Sequence, residues 1–157
     1  MLKILVQKWN QNKELLRKEI ASKPEFMKKC TYKDLVKLTF DTIFNSGEDD
    51  GYFTSLNTNE ITEIDDGDYQ GTLLYMIPFD MYQPGACDYL LTHVSYGSCS
   101  VCDTLRSIQY GCGDEGLTES RIINFMNLCQ NIVVNTVKPY NYGWRYDKNF
   151  DVVEDII

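Results

Sequence analysis

Apolar residues recur at helical spacing through the first part of the chain and at strand spacing through the middle. In residues 2–21, Leu2, Leu5, Val6, Trp9, Leu15, Leu16 and Ile20 fall mostly three or four positions apart with Lys and Arg on the remaining face, which predicts an amphipathic helix. Pro24 disfavours helical geometry at Lys23 and interrupts the pattern after Ser22. Thr31, with Asp34 three residues on, reads as the N-cap of a second helix. That helix carries Leu35, Val36, Leu38, Thr39, Ile43 and Phe44 and ends near Asn45-Ser46-Gly47. Trp9 and Phe40 read as core anchors.

From Ile61 the period changes. Residues 72–77 predict a strand closed by Pro78, and Tyr89 to Tyr96 a second, with Leu90, Thr92, Val94 and Tyr96 on one face and Leu91, His93 and Ser95 on the other, wetter one. The connector between them carries a Pro-Gly turn signal, so the two should pair antiparallel, with a shorter strand at Tyr52–Thr54 or near Ile61 on one edge. Asp65-Asp66-Gly67-Asp68 reads as a turn in which Asp and Gly supply special backbone angles. Beyond Tyr96 comes a tight turn, then a short helix from Asp103 to Gln109. Thr118 then caps a long helix from Glu119 to about Val137, burying Ile122, Ile123, Phe125, Met126, Cys129, Ile132 and Val133, with Pro139 just beyond. The aromatic stretch Tyr140–Tyr146 should pack on the sheet. These elements predict an α+β fold in a single domain: a basic helical part over 1–45, an acidic β part over 46–96, and a helical part with an aromatic tail over 97–157.

Composition adds that 157 residues, 43% of them hydrophobic, suffice for one core without covalent staples and are too apolar for a disordered chain. No run is long enough to span a membrane, and the first residues turn polar too soon for a signal peptide, so a cytoplasmic setting is expected. In that setting the six cysteines should be reduced, with Cys30 and Cys129 acting as small core residues. Charge is unevenly laid out. Residues 1–37 hold ten Lys/Arg and four acids, residues 38–105 hold twelve acids and no Lys or Arg, and residues 106–157 hold five bases and seven acids. A middle third without cations argues against direct nucleic-acid binding; the layout fits basic helices packed beside an acidic sheet or, on the sharper reading, an acidic face that meets a basic partner surface.

The chemistry-bearing stretch is Tyr96-Gly97-Ser98-Cys99-Ser100-Val101-Cys102-Asp103. Two thiols three positions apart at a strand-to-helix junction suit a redox pair, although the charge of Asp103 opposes a thiolate. They also suit part of a zinc site made by Cys99, Cys102 and Cys112, with Cys87 or His93 as a fourth ligand. The reading favoured here is structural: small residues where the backbone turns tightly against a neighbour. A single His, the lack of a Gly-rich phosphate loop and the lack of a nucleophile elbow argue against an enzyme. The candidate binding residues are Asp65, Asp66, Asp68, Tyr69, Gln70, Tyr96, Ser98 and Asp103; a third alternative is a small-ligand sequestering protein with its pocket between Tyr69-Gln70-Gly71 and Tyr96-Gly97-Ser98.

At Asp68-Tyr69-Gln70-Gly71-Thr72-Leu73, Tyr82-Gln83-Pro84 and Tyr96 to Leu105 the chain resembles a group of small bacteriophage-encoded proteins, which carry similar Y-Q-G and Y-G-S-C-S-x-C-D runs after a helical start with an early Trp, here Trp9. The resemblance spans roughly residues 9 to 110, with Val101 where those proteins often have Gly. It implies a setting, the cytoplasm of an infected bacterium, rather than a reaction. In that setting the resemblance implies an accessory or anti-defence protein that binds and inhibits a host macromolecule.

Overall fold

A computed structural model describes residues 2–46, 55–113 and 116–138. The aromatic stretch Tyr140–Tyr146 and the possible strand at Tyr52–Thr54 lie outside them. The first helix, α1, runs Leu2–Ser22 and buries Leu5, Trp9, Leu16 and Ile20, while Val6 and Leu15 stay exposed at the margins of the stripe. Lys23 leaves helical geometry and Pro24 opens the short α2, Pro24–Met27. The next helix, α3, spans Tyr32–Ile43 behind a reciprocal cap: Thr31 Oγ1 accepts from the Asp34 N–H at 3.2 Å, and the Asp34 carboxylate accepts from the Thr31 N–H at 2.9 Å. A cap of this kind contributes about 1 kcal/mol.

The sheet has the order β1-β2-β3, formed by Thr62–Asp65, Gly71–Pro78 and Tyr89–Tyr96, all antiparallel. The third strand is thus the one near Ile61. Register sets Glu63 opposite Tyr75 opposite Thr92, and Asp65 opposite Leu73 opposite Val94. Residues directly opposite share a face, so one face carries Tyr75, Ile77, Leu90, Thr92 and Val94 into the core, and a slip of one residue would turn all of them outward. His93 is exposed on the other face, as the alternation requires. At the β1 edge the helices no longer cover that inner face, which leaves Glu63 and Asp65 exposed although they project to the core side.

After β3 the chain forms α4, Thr104–Gln109, and α5, Glu119–Val134. The buried stripe of α5 is Ile122, Phe125, Leu128, Cys129, Ile132 and Val133. Ile123 is exposed and Met126 only part-buried, contrary to the sequence expectation, because α1 and α3 cover one side of α5 and those two residues lie at its margin. The helix also stops three residues before Val137. Val137 pairs instead with Leu91 at the β3 edge, each N–H donating to the other's carbonyl at 2.8 Å, and this satisfies two backbone groups that the edge strand would otherwise leave open. Thr92 Oγ1 donates to the Ile132 carbonyl at 2.7 Å and ties the sheet to α5.

The helices and sheet share one hydrophobic core, making the chain α+β with N-terminal helices, a small antiparallel sheet and a long later helix. Each fully buried Leu, Ile or Phe contributes about 1.5–3 kcal/mol to it. Cys30 and Cys129 belong to this core, where burial pushes their thiols up to about 11 and about 12. No helix among the described residues is long and apolar enough to cross a membrane.

Candidate functional site

Two turns meet at one end of the sheet. The first, residues 66–70, joins β1 to β2. Asp65 Oδ1 accepts from the Gly67 N–H at 3.0 Å, and Asp66 Oδ1 accepts from the Thr72 N–H at 2.6 Å, so both carboxylates pin the loop while remaining exposed. Gly67 is needed here for closeness: a Cβ would stand 2.2 Å from the Gln70 carbonyl oxygen. Its φ lies outside the left-handed region, so the expectation that Gly supplies a special backbone angle gives way to one of space. Asp68, Tyr69 and Gln70 project into solvent, Tyr69 with 83% of its surface exposed.

The second turn, residues 97–102, joins β3 to α4 and is built around Asp103. This carboxylate, 3% exposed, is the N-cap of α4. It accepts from the Arg106 N–H at 2.8 Å, the Gly97 N–H at 3.0 Å and the Tyr32 hydroxyl at 3.2 Å. Tyr32 in turn accepts from the Leu105 N–H at 3.1 Å, so a side chain of α3 is spliced into the start of α4. Tyr96 links the two turns. Its hydroxyl lies 2.7 Å from Asp65 Oδ1 and 2.9 Å from the Gly67 carbonyl oxygen, two acceptors for one proton. The bond to Asp65 holds the phenol proton on and raises its pKa to about 12.

On the outside of the second turn lie the thiols. Cys99 and Cys102 are exposed with their sulfurs 2.6 Å apart, and Cys102 Sγ accepts from the Cys99 N–H at 3.1 Å. Hydrogen bonds from the side chains of Cys99 and then Ser98 lower the Cys102 thiol to about 7. The opposition expected from Asp103 does not prevent this, because that carboxylate is turned inward onto Tyr32, Gly97 and Arg106. Ser98 also offers its carbonyl to Arg106 Nη1 at 3.3 Å. Cys112 stands apart, with its Sγ against the Ile108 carbonyl. Among the described residues no three His, Cys, Asp or Glu side chains are gathered at metal-binding spacing, so the expected Cys99, Cys102 and Cys112 set is not assembled.

Beside Tyr96 the sheet, α3, the start of the second turn and α4 line an open cavity of about 340 Å³. It touches Tyr96 and Gly97, as expected from the sequence, but its other wall is not Tyr69-Gln70-Gly71. That wall is made by Glu63, Asp65 and Tyr75 from the sheet and by Tyr32 from α3, with Arg106 at one side. The first turn faces solvent instead, with Asp68, Tyr69 and Gln70 all exposed. Sequence reading missed Glu63, Tyr75, Tyr32 and Arg106. A signal for Tyr75 was present: it alternates with Leu74 and Met76 onto the core face, where a phenol needs a hydrogen-bond partner.

Searches against family models, characterised proteins and solved structures return no match for this chain.

Proposed function

We propose that the protein acts by binding rather than by catalysis, its acidic sheet end docking on a basic surface of a host protein in the cytoplasm of an infected bacterium and blocking that protein's work. The observation that carries this reading is the exposure of Glu63, Asp65, Asp66 and Asp68 together at one end of the sheet, beside an exposed Tyr69, in a stretch without Lys or Arg from 38 to 105. Such a face steers a cationic partner by long-range attraction, and an exposed aromatic supplies an anchor at short range. It repels nucleic acid, which fits a role that intercepts a protein rather than its phosphate ligand.

Asp68 and Tyr69 make the cleanest probes, since Asp65 and Asp66 also hold the turn. A tagged protein should retain strongly basic bacterial proteins at low salt and release them at high salt. Asp68→Lys combined with Tyr69→Ala should lower that retention about tenfold, an effect of about 1.4 kcal/mol, with an unchanged circular dichroism spectrum. Equal retention by the variant would remove the acidic face from consideration.

A second reading is favoured by the thiol pair. Exposed sulfurs in contact, one with a pKa of about 7, suit exchange with a low-molecular-weight disulfide. The Cys102 thiolate would attack one sulfur of that disulfide and expel one thiolate. Cys99, giving up its proton, would then attack Cys102 and expel the second. The protein loses two protons and two electrons, and the small disulfide takes them up to become two thiols. Alkylation by iodoacetamide should show a pH midpoint near 7 for Cys102, and Cys99→Ala, which removes the side-chain donor, should move it upward, because the largest cause of the lowering is gone. A midpoint unmoved by Cys99→Ala would end this reading.

A further inference from the structure

One wall of the cavity beside Tyr96 is unfinished. Tyr75 is fully buried, 0% exposed, and its hydroxyl makes no hydrogen bond of ordinary geometry, although the Glu63 carboxylate lies near enough to attract its proton. Tyr75 and the groups that act on its phenol, Glu63 first and then Tyr32 and Asp65, all line the cavity. Burial and these neighbours push its pKa up, so it stays a neutral phenol. An orphaned buried hydroxyl costs about 1–3 kcal/mol, and a chain that keeps one beside a cavity is built for something to meet it there.

The hydrogen-bonding inventory of the walls says what that is. Tyr32, Asp103 and Tyr96 are already engaged with one another's neighbours. The remaining capacity lies in Glu63, in the second oxygen of Asp65 and in the Tyr75 hydroxyl, set against one guanidinium, Arg106, that already reaches the Ser98 carbonyl. Acceptors outnumber donors, and three carboxylates face one cation. A phosphate or carboxylate ligand would meet like charge, and a neutral apolar one would leave the hydroxyl orphaned. A head group with several N–H donors and a positive charge satisfies both, while the rings of Tyr75 and Tyr96 offer apolar and cation–π contact to its stem.

We infer that this cavity is a binding site for a guanidinium or primary ammonium group on an aliphatic stem, held by Glu63, Asp65 and the Tyr75 hydroxyl. The volume is within the range of small-ligand sites and exceeds what one such head group fills. The site shares Glu63 and Asp65 with the acidic face but not Asp68 and Tyr69, so the Asp68→Lys/Tyr69→Ala variant tests that face while leaving these walls intact. The cation has two sources, a free metabolite or the side chain of an Arg or Lys on a partner.

The test is titration of the full chain with agmatine, with capped arginine (N-acetyl-arginine N-methylamide) and with inorganic phosphate, followed by NMR and calorimetry. Agmatine should shift the resonances of Glu63, Tyr75 and Tyr96. Tyr75→Phe, which removes only the hydroxyl, should weaken agmatine about tenfold while leaving the fold as stable as before or more so; Glu63→Gln should weaken it by a similar factor. If capped arginine binds equally well, a partner's side chain is the source; if only agmatine binds, a free cation is. Either result supports the site. Absence of agmatine shifts at about 10 mM, unchanged affinity in both variants, or phosphate shifting the same resonances as strongly would overturn it.

Discussion

Asp103→Ala should destabilise the protein by about 3 to 5 kcal/mol, the largest effect expected of a single polar substitution here. Three donors converge on this carboxylate: the Arg106 N–H, which opens α4, the Gly97 N–H, which ends β3, and the Tyr32 hydroxyl, which belongs to α3. Alanine leaves all three without an acceptor in a place 3% exposed, where water does not replace it. The loss therefore combines an N-cap with the desolvation cost of two further donors. Asp103→Asn separates these contributions. Its carbonyl oxygen serves Arg106 and Tyr32, but its amide group then confronts the Gly97 N–H, donor against donor, so a smaller loss of about 1 to 3 kcal/mol is expected. Urea unfolding followed by circular dichroism measures both. An Ala variant within about 0.5 kcal/mol of the parent, the usual range for a surface change, would contradict this account of the corner.

The contrast between this corner and the rest of the fold shows what a sequence makes legible. Wherever an element is specified by its own neighbours, it is readable. The Thr31–Asp34 cap, the break at Pro24 and the strand Tyr89–Tyr96 follow from local spacing, and the structure has them where the spacing puts them. The α5 end is less so, because Val137 is drawn to Leu91, a residue far away in the chain whose edge position no local pattern announces. The cavity is the extreme case. Its walls come from α3, β1, β2 and the β3–α4 turn, and only the register that sets Glu63 opposite Tyr75 brings a carboxylate to the buried phenol. Asp103 could be seen as a helix start, but its grip on Tyr32, 71 positions away, could not. The charge layout was fully legible, since it needs no contacts, and it is also the feature on which the proposed function depends.

Gly97→Ala should produce the second large effect, and for a reason of space rather than backbone angle, since Gly97 does not adopt a left-handed conformation. An added Cβ would lie 2.4 Å from the Cys102 carbonyl oxygen, 2.5 Å from its carbon and 2.9 Å from the Asp103 nitrogen. All three are backbone atoms, so no side-chain rotation relieves the clash and the 98–102 turn itself must move away. Overpacking of this kind costs about 1–3 kcal/mol. The displacement has a second readout. The clash falls on the Cys102 end of the turn, and shifting that end relative to Ser98 and Cys99 lengthens the contacts that lower its thiol, so the alkylation midpoint should climb from about 7 toward the ordinary thiol value. Gly113→Ala is the matched control: a Cβ there meets nothing within 4 Å, and it should leave both stability and thiol titration as they were. A Gly97→Ala protein with parental stability and an unmoved Cys102 would mean that the turn is loose enough to yield. In that case the Tyr96-to-Asp103 run would owe its small residues to something other than the crowding between Gly97 and Cys102.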